Sequence, residues 1–158
     1  MIRKTIFVVR HGYANSHAET DFARTLTEKG IQAVKQTADF IKSFSENLSQ
    51  KIQACICSAA ERTSQTAKII CSHCVIDCVE TKKELYSTYS GEWLKQVENS
   101  PFETLLLVGH NPTLSELVTH LSGQRIYMSP SDCAVVSLEI KEDGIIYPAE
   151  LIAFHSNE

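Results

Sequence analysis

The sequence predicts an α/β protein of three layers, α/β/α, with a mostly parallel central sheet and helices on both of its faces. Two short apolar runs, Thr5 to Val9 and Glu103 to Val108, have the length and composition of buried strands. Between them apolar residues recur at helical spacing, as in Ile31, Val34, Ala38 and Ile41. Both runs end abruptly in polar residues, Arg10-His11-Gly12 and Gly109-His110-Asn111-Pro112. That pattern delivers cations and imidazoles to the carboxyl ends of strands, the edge where ligands bind in open α/β sheets.

Each element has its own signal. Thr5 to Val9 is the first strand, and Gly12 after it permits a sharp turn and a close backbone approach. Thr25-Leu26-Thr27-Glu28 fits the capping-box spacing, with Thr27 as a competing cap. The amphipathic helix that follows also carries Phe44 and Leu48 and ends near Asn47. Gln53 to Cys57 reads as a short strand, Ser58 to about His73 as a helix, and Val75 to Val79 as a further strand. The segment 81–101 reads as a loop leading into a short helix over the mouth of the site, and it is the only stretch available as a lid. After the strand Glu103 to Val108, Asn111 suits an N-cap and Pro112 the first helical position. Leu114, Leu117, Val118 and Leu121 line one helical face, and Gly123 stops it. Val135 to Ile140 and Tyr147 to Phe154 close the chain as strands joined through the turn Glu142-Asp143-Gly144.

Strands alternating with helices of this length imply βαβ units. At 158 residues, the whole chain, 1–158, is expected to form a single domain. Its net charge of -4 argues against a general nucleic-acid surface but permits a local basic pocket. With no apolar leader pattern and no run of about 18 apolar residues, a cytoplasmic monomer away from membranes is expected. The six cysteines include Cys71-Ser72-His73-Cys74, but no second pair follows at zinc-finger distance, so burial as small hydrophobes is the expectation.

The chemistry concentrates at Arg10, His11, Ser58, Arg62 and His110, all placed at strand ends or in the turns after them. Arginine suits phosphate because its planar fork donates bidentately and stays charged. Burying such cations without a counter-anion would cost several kcal/mol per unpaired ion, and a phosphoryl group resolves that cost. The helix opened near Asn111-Pro112 would add its N-terminal partial charge at the same place. A dication is disfavoured by arginines beside both histidines, so no metal and no cofactor is expected.

In order along the chain, Arg10-His11-Gly12, Asp21 to Gly30, Ser58 to Ala67 and Gly109-His110-Asn111-Pro112 resemble the histidine phosphatase superfamily of phosphoglycerate mutase-like fold. The segment Asp21-Phe22-Ala23-Arg24-Thr25-Leu26-Thr27-Glu28-Lys29-Gly30 resembles its short-chain, SixA-type phosphohistidine phosphatase branch, with Thr25 where that branch usually has proline. The resemblance covers about residues 5 to 123. It implies that His11 is a nucleophile forming a transient phosphohistidine, and that Arg10, Arg62 and His110 hold phosphoryl oxygens. It also implies that Arg24 is a further anion ligand at the rim, with Gly12, Ser58 and Asn111 beside the phosphate.

No carboxylate stands out as a general acid. Glu84 and Asp21 are the candidate proton donors, with Glu92 a third; Glu84 can equally point outward beside a buried Leu85, and Asp21 can orient Arg24 or cap its loop. An alkoxide leaving group has a pKa of roughly 15 and needs a proton, whereas an imidazole whose other nitrogen is protonated leaves as a neutral ring. The missing acid and the shortness of the chain both favour phosphohistidine on a protein, such as a histidine phosphotransfer domain in signal transduction. A small-molecule phosphomonoesterase or mutase, and a catalytically weak phospho-binding module, are the alternative readings. Trp93, Tyr86 and Tyr89 form either a recognition lip or core packing.

Overall fold

Successive side chains of a strand point to opposite faces of its sheet. In this computed structural model, which describes residues 1–157, β1 (Ile2–Arg10) sends Ile6 and Val8 into one core and Phe7 and Val9 into the other. The same alternation runs through β2 (Ala54–Ser58), where Ala54 and Ile56 oppose Cys55 and Cys57. It runs again through β4 (Thr104–Gly109), where Leu105 and Leu107 oppose Leu106 and Val108. Helices α1 (Glu28–Asn47) and α2 (Glu61–Cys74) cover the Phe7 face with Val34, Ala38, Ile41, Ala67 and Ile70. Helices α3 (Ser90–Asn99) and α4 (Thr113–Ser122) cover the other with Trp93, Val97, Leu114, Leu117 and Leu121.

With β3 (Val79–Lys82), β5 (Cys133–Lys141), β6 (Gly144–Ile145) and β7 (Glu150–His155), the sheet has seven strands among the described residues. Their order is β3-β2-β4-β1-β5-β6, with β7 also pairing β5. The stretch β3-β2-β4-β1 is parallel, while β5 runs antiparallel to β1, β6 and β7. The expected α/β/α layering therefore holds, with the antiparallel strands gathered at one side.

Four local expectations shift. Thr27, not Thr25, caps α1: its hydroxyl oxygen accepts the Gly30 amide at 2.9 Å. The strand expected over Val75 to Val79 starts only at Val79. Val75 instead ends α2 in the left-handed region at φ 55°, and the Ile76 amide returns to Cys71. Pairing begins where Val79 meets Cys55. Helix α4 begins at Thr113 with Pro112 in the cap position, and Asn111 caps from one residue further out, its Oδ1 accepting the Ser115 amide at 3.2 Å. The strand expected from Tyr147 starts at Glu150, past Pro148, which has no N–H to give a ladder.

Of the free cysteines, Cys55, Cys57, Cys71 and Cys133 are buried, Cys74 is half-buried and Cys78 exposed. Among the described residues no helix is long and apolar enough to cross a membrane, and no group of three His, Cys, Asp or Glu is placed to hold a metal.

Candidate active site

Because β4 lies between β1 and β2, the three parallel strands end side by side. The register pairs Arg10 with Gly109 and Cys57 with Val108, so His11 and His110 leave the sheet at one level and Ser58, the last residue of β2, ends one residue short of it. The two imidazole centroids lie 5.4 Å apart.

His11 is buried, and its Nδ1 sits 2.7 Å from the carbonyl oxygen of Gly12. A carbonyl only accepts, so Nδ1 carries the proton and Nε2 keeps its lone pair. Nε2 accepts a long hydrogen bond from Nε of Arg62 at 3.4 Å. Burial lowers the pKa of His11 to about 4, and the cations Arg62, Arg10 and Arg24 push the same way against the Gly12 bond. The ring is thus a neutral base with one unprotonated nitrogen, Nε2, at ordinary pH.

Arg62 stands in the first turn of α2 and is almost wholly buried. Asp21 holds it from behind: NH1 donates to the Asp21 carbonyl at 2.8 Å and NH2 to Oδ2 at 3.1 Å. The other oxygen of Asp21 accepts from NH1 of Arg24 at 3.0 Å, while Arg24 Nε donates to the Asn15 carbonyl. The Tyr86 hydroxyl also donates to Oδ2 of Asp21. That bond and the Arg24 bond keep the Asp21 carboxyl well below the usual carboxylate range. Near neutrality Asp21 is therefore an ionised carboxylate engaged by Arg62, Arg24 and Tyr86. Glu84 is exposed on a 3-10 turn (Lys83–Leu85) beside fully buried Leu85, and Glu92 faces Lys95 at 3.8 Å.

Arg10 donates through NH1 to the Met128 carbonyl at 2.8 Å, and its buried Nε has no partner among the described residues. His110 meets the Ser58 hydroxyl through Nε2 at 2.8 Å, and its buried Nδ1 is likewise without a partner. Its pKa falls to about 3, through burial first and then the facing His11 and Arg62. Gly12 and Asn111 are both tied to neighbouring protein groups. The Gly12 amide donates to Thr66 Oγ1, and the Asn111 amide spans from Met128 O to Ser115. A Cβ on Gly12 would lie 2.7 Å from Val34 Cγ2 and 3.1 Å from the Gly30 carbonyl oxygen, so any larger residue there forces its neighbours to shift.

Residues 6–98, more than half of the chain, match the family described as histidine phosphatase superfamily, branch 1. The chain belongs to the histidine phosphatase superfamily. Its fold is similar to that of a candidate phosphohistidine phosphatase SixA from Agrobacterium tumefaciens, at 21% identity, TM-score 0.81 and 97% coverage of both chains. A candidate phosphohistidine phosphatase SixA from Nakamurella multipartitia is similar at 24% identity and TM-score 0.78, with 98% of this chain and 96% of that one covered. A protein histidine phosphatase SixA complexed with tungstate is similar at 23% identity and TM-score 0.78, with 96% of each covered. No curated protein sequence matches the chain. Membership of this phosphatase superfamily supports phosphatase activity.

In this superfamily member the structure brings Arg10, His11, Ser58, Arg62 and His110 together, and ties Arg24 to them through Asp21. Sequence reasoning missed the link from Asp21 to Arg62 and Tyr86, and the Met128 carbonyl that holds both Arg10 and Asn111. Backbone carbonyls leave no sequence signal. Tyr86 is half-buried and stands edge-on to His110 at 5.6 Å, while Trp93 is core and Tyr89 is exposed.

Proposed function

We propose that the protein hydrolyses phosphohistidine carried by another protein, such as a histidine phosphotransfer domain, through a transient phosphohistidine on His11. The observation that carries the reading is the state of Asp21. It is the carboxylate among the cations, and it is ionised and consumed by Arg62, Arg24 and Tyr86. The candidate site therefore offers a nucleophile and phosphoryl ligands without a ready proton for an alkoxide.

In the first step the lone pair on His11 Nε2 attacks phosphorus and the substrate's N–P bond breaks. The leaving imidazole departs neutral because its other nitrogen is protonated. Water then attacks the phosphorus on His11, the Nε2–P bond breaks, and both water hydrogens leave with the phosphate. Arg10, Arg62 and His110 stabilise the three oxygens, which is where a loose phosphoryl transition state needs help. Arg24 adds positive charge at the rim.

Turnover of a protein phosphorylated on histidine should leave an acid-labile phosphoryl label on His11 in the quenched enzyme, and His11→Ala should abolish both label and turnover. Hydrolysis by His11→Ala would sink the mechanism. Faster hydrolysis of sugar phosphates than of the phosphohistidine protein would sink the substrate and favour a small-molecule phosphomonoesterase or mutase.

A further inference from the structure

We propose that Ser58 is a positioning residue: its buried hydroxyl donates to Nε2 of His110 and so fixes on Nδ1 the proton that His110 offers to a phosphoryl oxygen. The proposal rests on the reading of His110 as a phosphoryl ligand and adds to it the residue that makes His110 a donor.

A hydroxyl has one proton, and in a fully buried serine that proton must find an acceptor or cost the desolvation of an unmet donor. Ser58 is the last residue of β2 and wholly inaccessible. Its Oγ makes two contacts: the Ala60 amide donates to it at 3.5 Å, and His110 Nε2 lies at 2.8 Å. The amide can only donate, so Nε2 is the acceptor available to the hydroxyl among the described residues. Nε2 then cannot carry a proton, and a neutral ring must carry it on Nδ1.

The orphaned atom of His110 agrees. Nδ1 is buried and has no partner among the described residues, in a residue only 9% exposed. As an N–H it is a donor awaiting an anionic oxygen. In the opposite tautomer two groups would suffer, since the hydroxyl proton would lose its acceptor and Nδ1 would turn a lone pair toward the anion. The same geometry keeps Ser58 itself from binding phosphate. Its hydroxyl is committed to His110, and its carbonyl receives the Thr63 hydroxyl at 2.8 Å, which fixes the backbone at the entrance to α2. The sequence places Ser58 four residues before Arg62, so one turn supplies both the guanidinium and the device that orients the second imidazole.

Long-range nitrogen–proton NMR correlations on histidine-labelled enzyme read the tautomer directly. The expected result for the wild-type enzyme near neutral pH is His110 protonated on Nδ1, and for Ser58→Ala a loss of that single tautomer. Binding of inorganic phosphate, followed on the same spectra, should weaken about tenfold in Ser58→Ala, the scale of one lost hydrogen bond to a charged group. A wild-type His110 protonated on Nε2 overturns the proposal without any variant, and so does a Ser58→Ala enzyme with unchanged tautomer and phosphate affinity. The two readings fail separately. An enzyme that never labels His11, yet shows the Nδ1 proton controlled by Ser58, refutes the phosphatase chemistry and keeps the positioning role.

Discussion

Asp21 grips Arg62 with two groups at once, its backbone carbonyl at NH1 and its carboxylate at NH2, leaving Nε to face His11. The Asp21 side chain is half exposed, at 53%, so as an ion pair it contributes little stability, on the order of 0–1 kcal/mol. Its effect lies in aiming a guanidinium that is itself buried. Asp21→Asn should therefore lower kcat/KM by about tenfold to a hundredfold, the usual cost of misplacing a group at a reacting centre, while shifting Tm little at pH 7. An unchanged kcat/KM would remove Asp21 from the positioning apparatus.

The same carboxyl makes a pH prediction. Its folded pKa is depressed below the ordinary 3.8, so whatever stability it adds is present above about pH 4 and is lost as pH falls below it. Thermal unfolding of wild type and Asp21→Asn should differ most near neutrality and converge in acid. A gap that widens as pH falls would contradict the sign.

The histidines act in a higher window. Folded values of about 4 for His11 and about 3 for His110 lie below the ordinary 6.5, so between these limits the unfolded chain binds more protons. The stability that the two neutral rings contribute is complete above about pH 6.5, declines as pH falls toward 3, and levels off beyond. NMR titration of the free enzyme should show neither ring protonating with a midpoint near 6.5. A urea midpoint that does not drop between pH 7 and pH 5 would count against buried neutral rings.

Gly12→Ala should cost about 1–3 kcal/mol, the range for overpacking a well-filled site, because the new Cβ meets Val34 Cγ2 at 2.7 Å and the Gly30 carbonyl at 3.1 Å. It also displaces the carbonyl that holds His11 Nδ1, so activity should fall with stability. Adding Val34→Ala makes room and should recover part of the loss in urea denaturation. A Gly12→Ala enzyme as stable as wild type would show that the turn relaxes freely.

Lys4 lies far from the strand ends that form the site. Its buried ammonium donates to the carbonyls of Val97, Ser100 and Phe102 at 2.9, 2.6 and 2.9 Å, closing the C-terminal end of α3. Lys4→Met keeps the stem but strands these carbonyls, and should destabilise by about 2–4 kcal/mol on the scale of bonds to a charged donor. At a temperature where the variant is folded, kcat should be unchanged, and a specific loss of kcat would tie α3 to the chemistry.

What the sequence revealed follows a physical division. Arg10, His11 and His110 were legible because a buried strand is a continuous apolar run, and its end is marked by the first polar residue. Thr27 against Thr25 was not resolved because the two offer workable caps two residues apart and tertiary packing chooses, while Asn111, read as the N-cap, caps from one residue further out with Pro112 in the cap position. Val75 looked like a strand residue from its side chain alone, whereas it is a left-handed helix exit, exposed at 61%. The grip of Asp21 on Arg62 and Tyr86 spans 41 and 65 residues of chain and depends on how a loop lies over the sheet edge.

The pairing of Arg10 with Gly109 reaches beyond architecture. Adjacent strands are held about 4.8 Å apart by backbone hydrogen bonds, and each histidine is the next residue after a paired position. The gap between the two imidazoles is therefore inherited from the repeat distance of the sheet, which no surface substitution can retune. Changes in the loops above can alter what enters and how fast it leaves. The innermost ruler of the pocket stays the same unless β1 or β4 slips by a residue, and such a slip would also exchange the residues of the two cores.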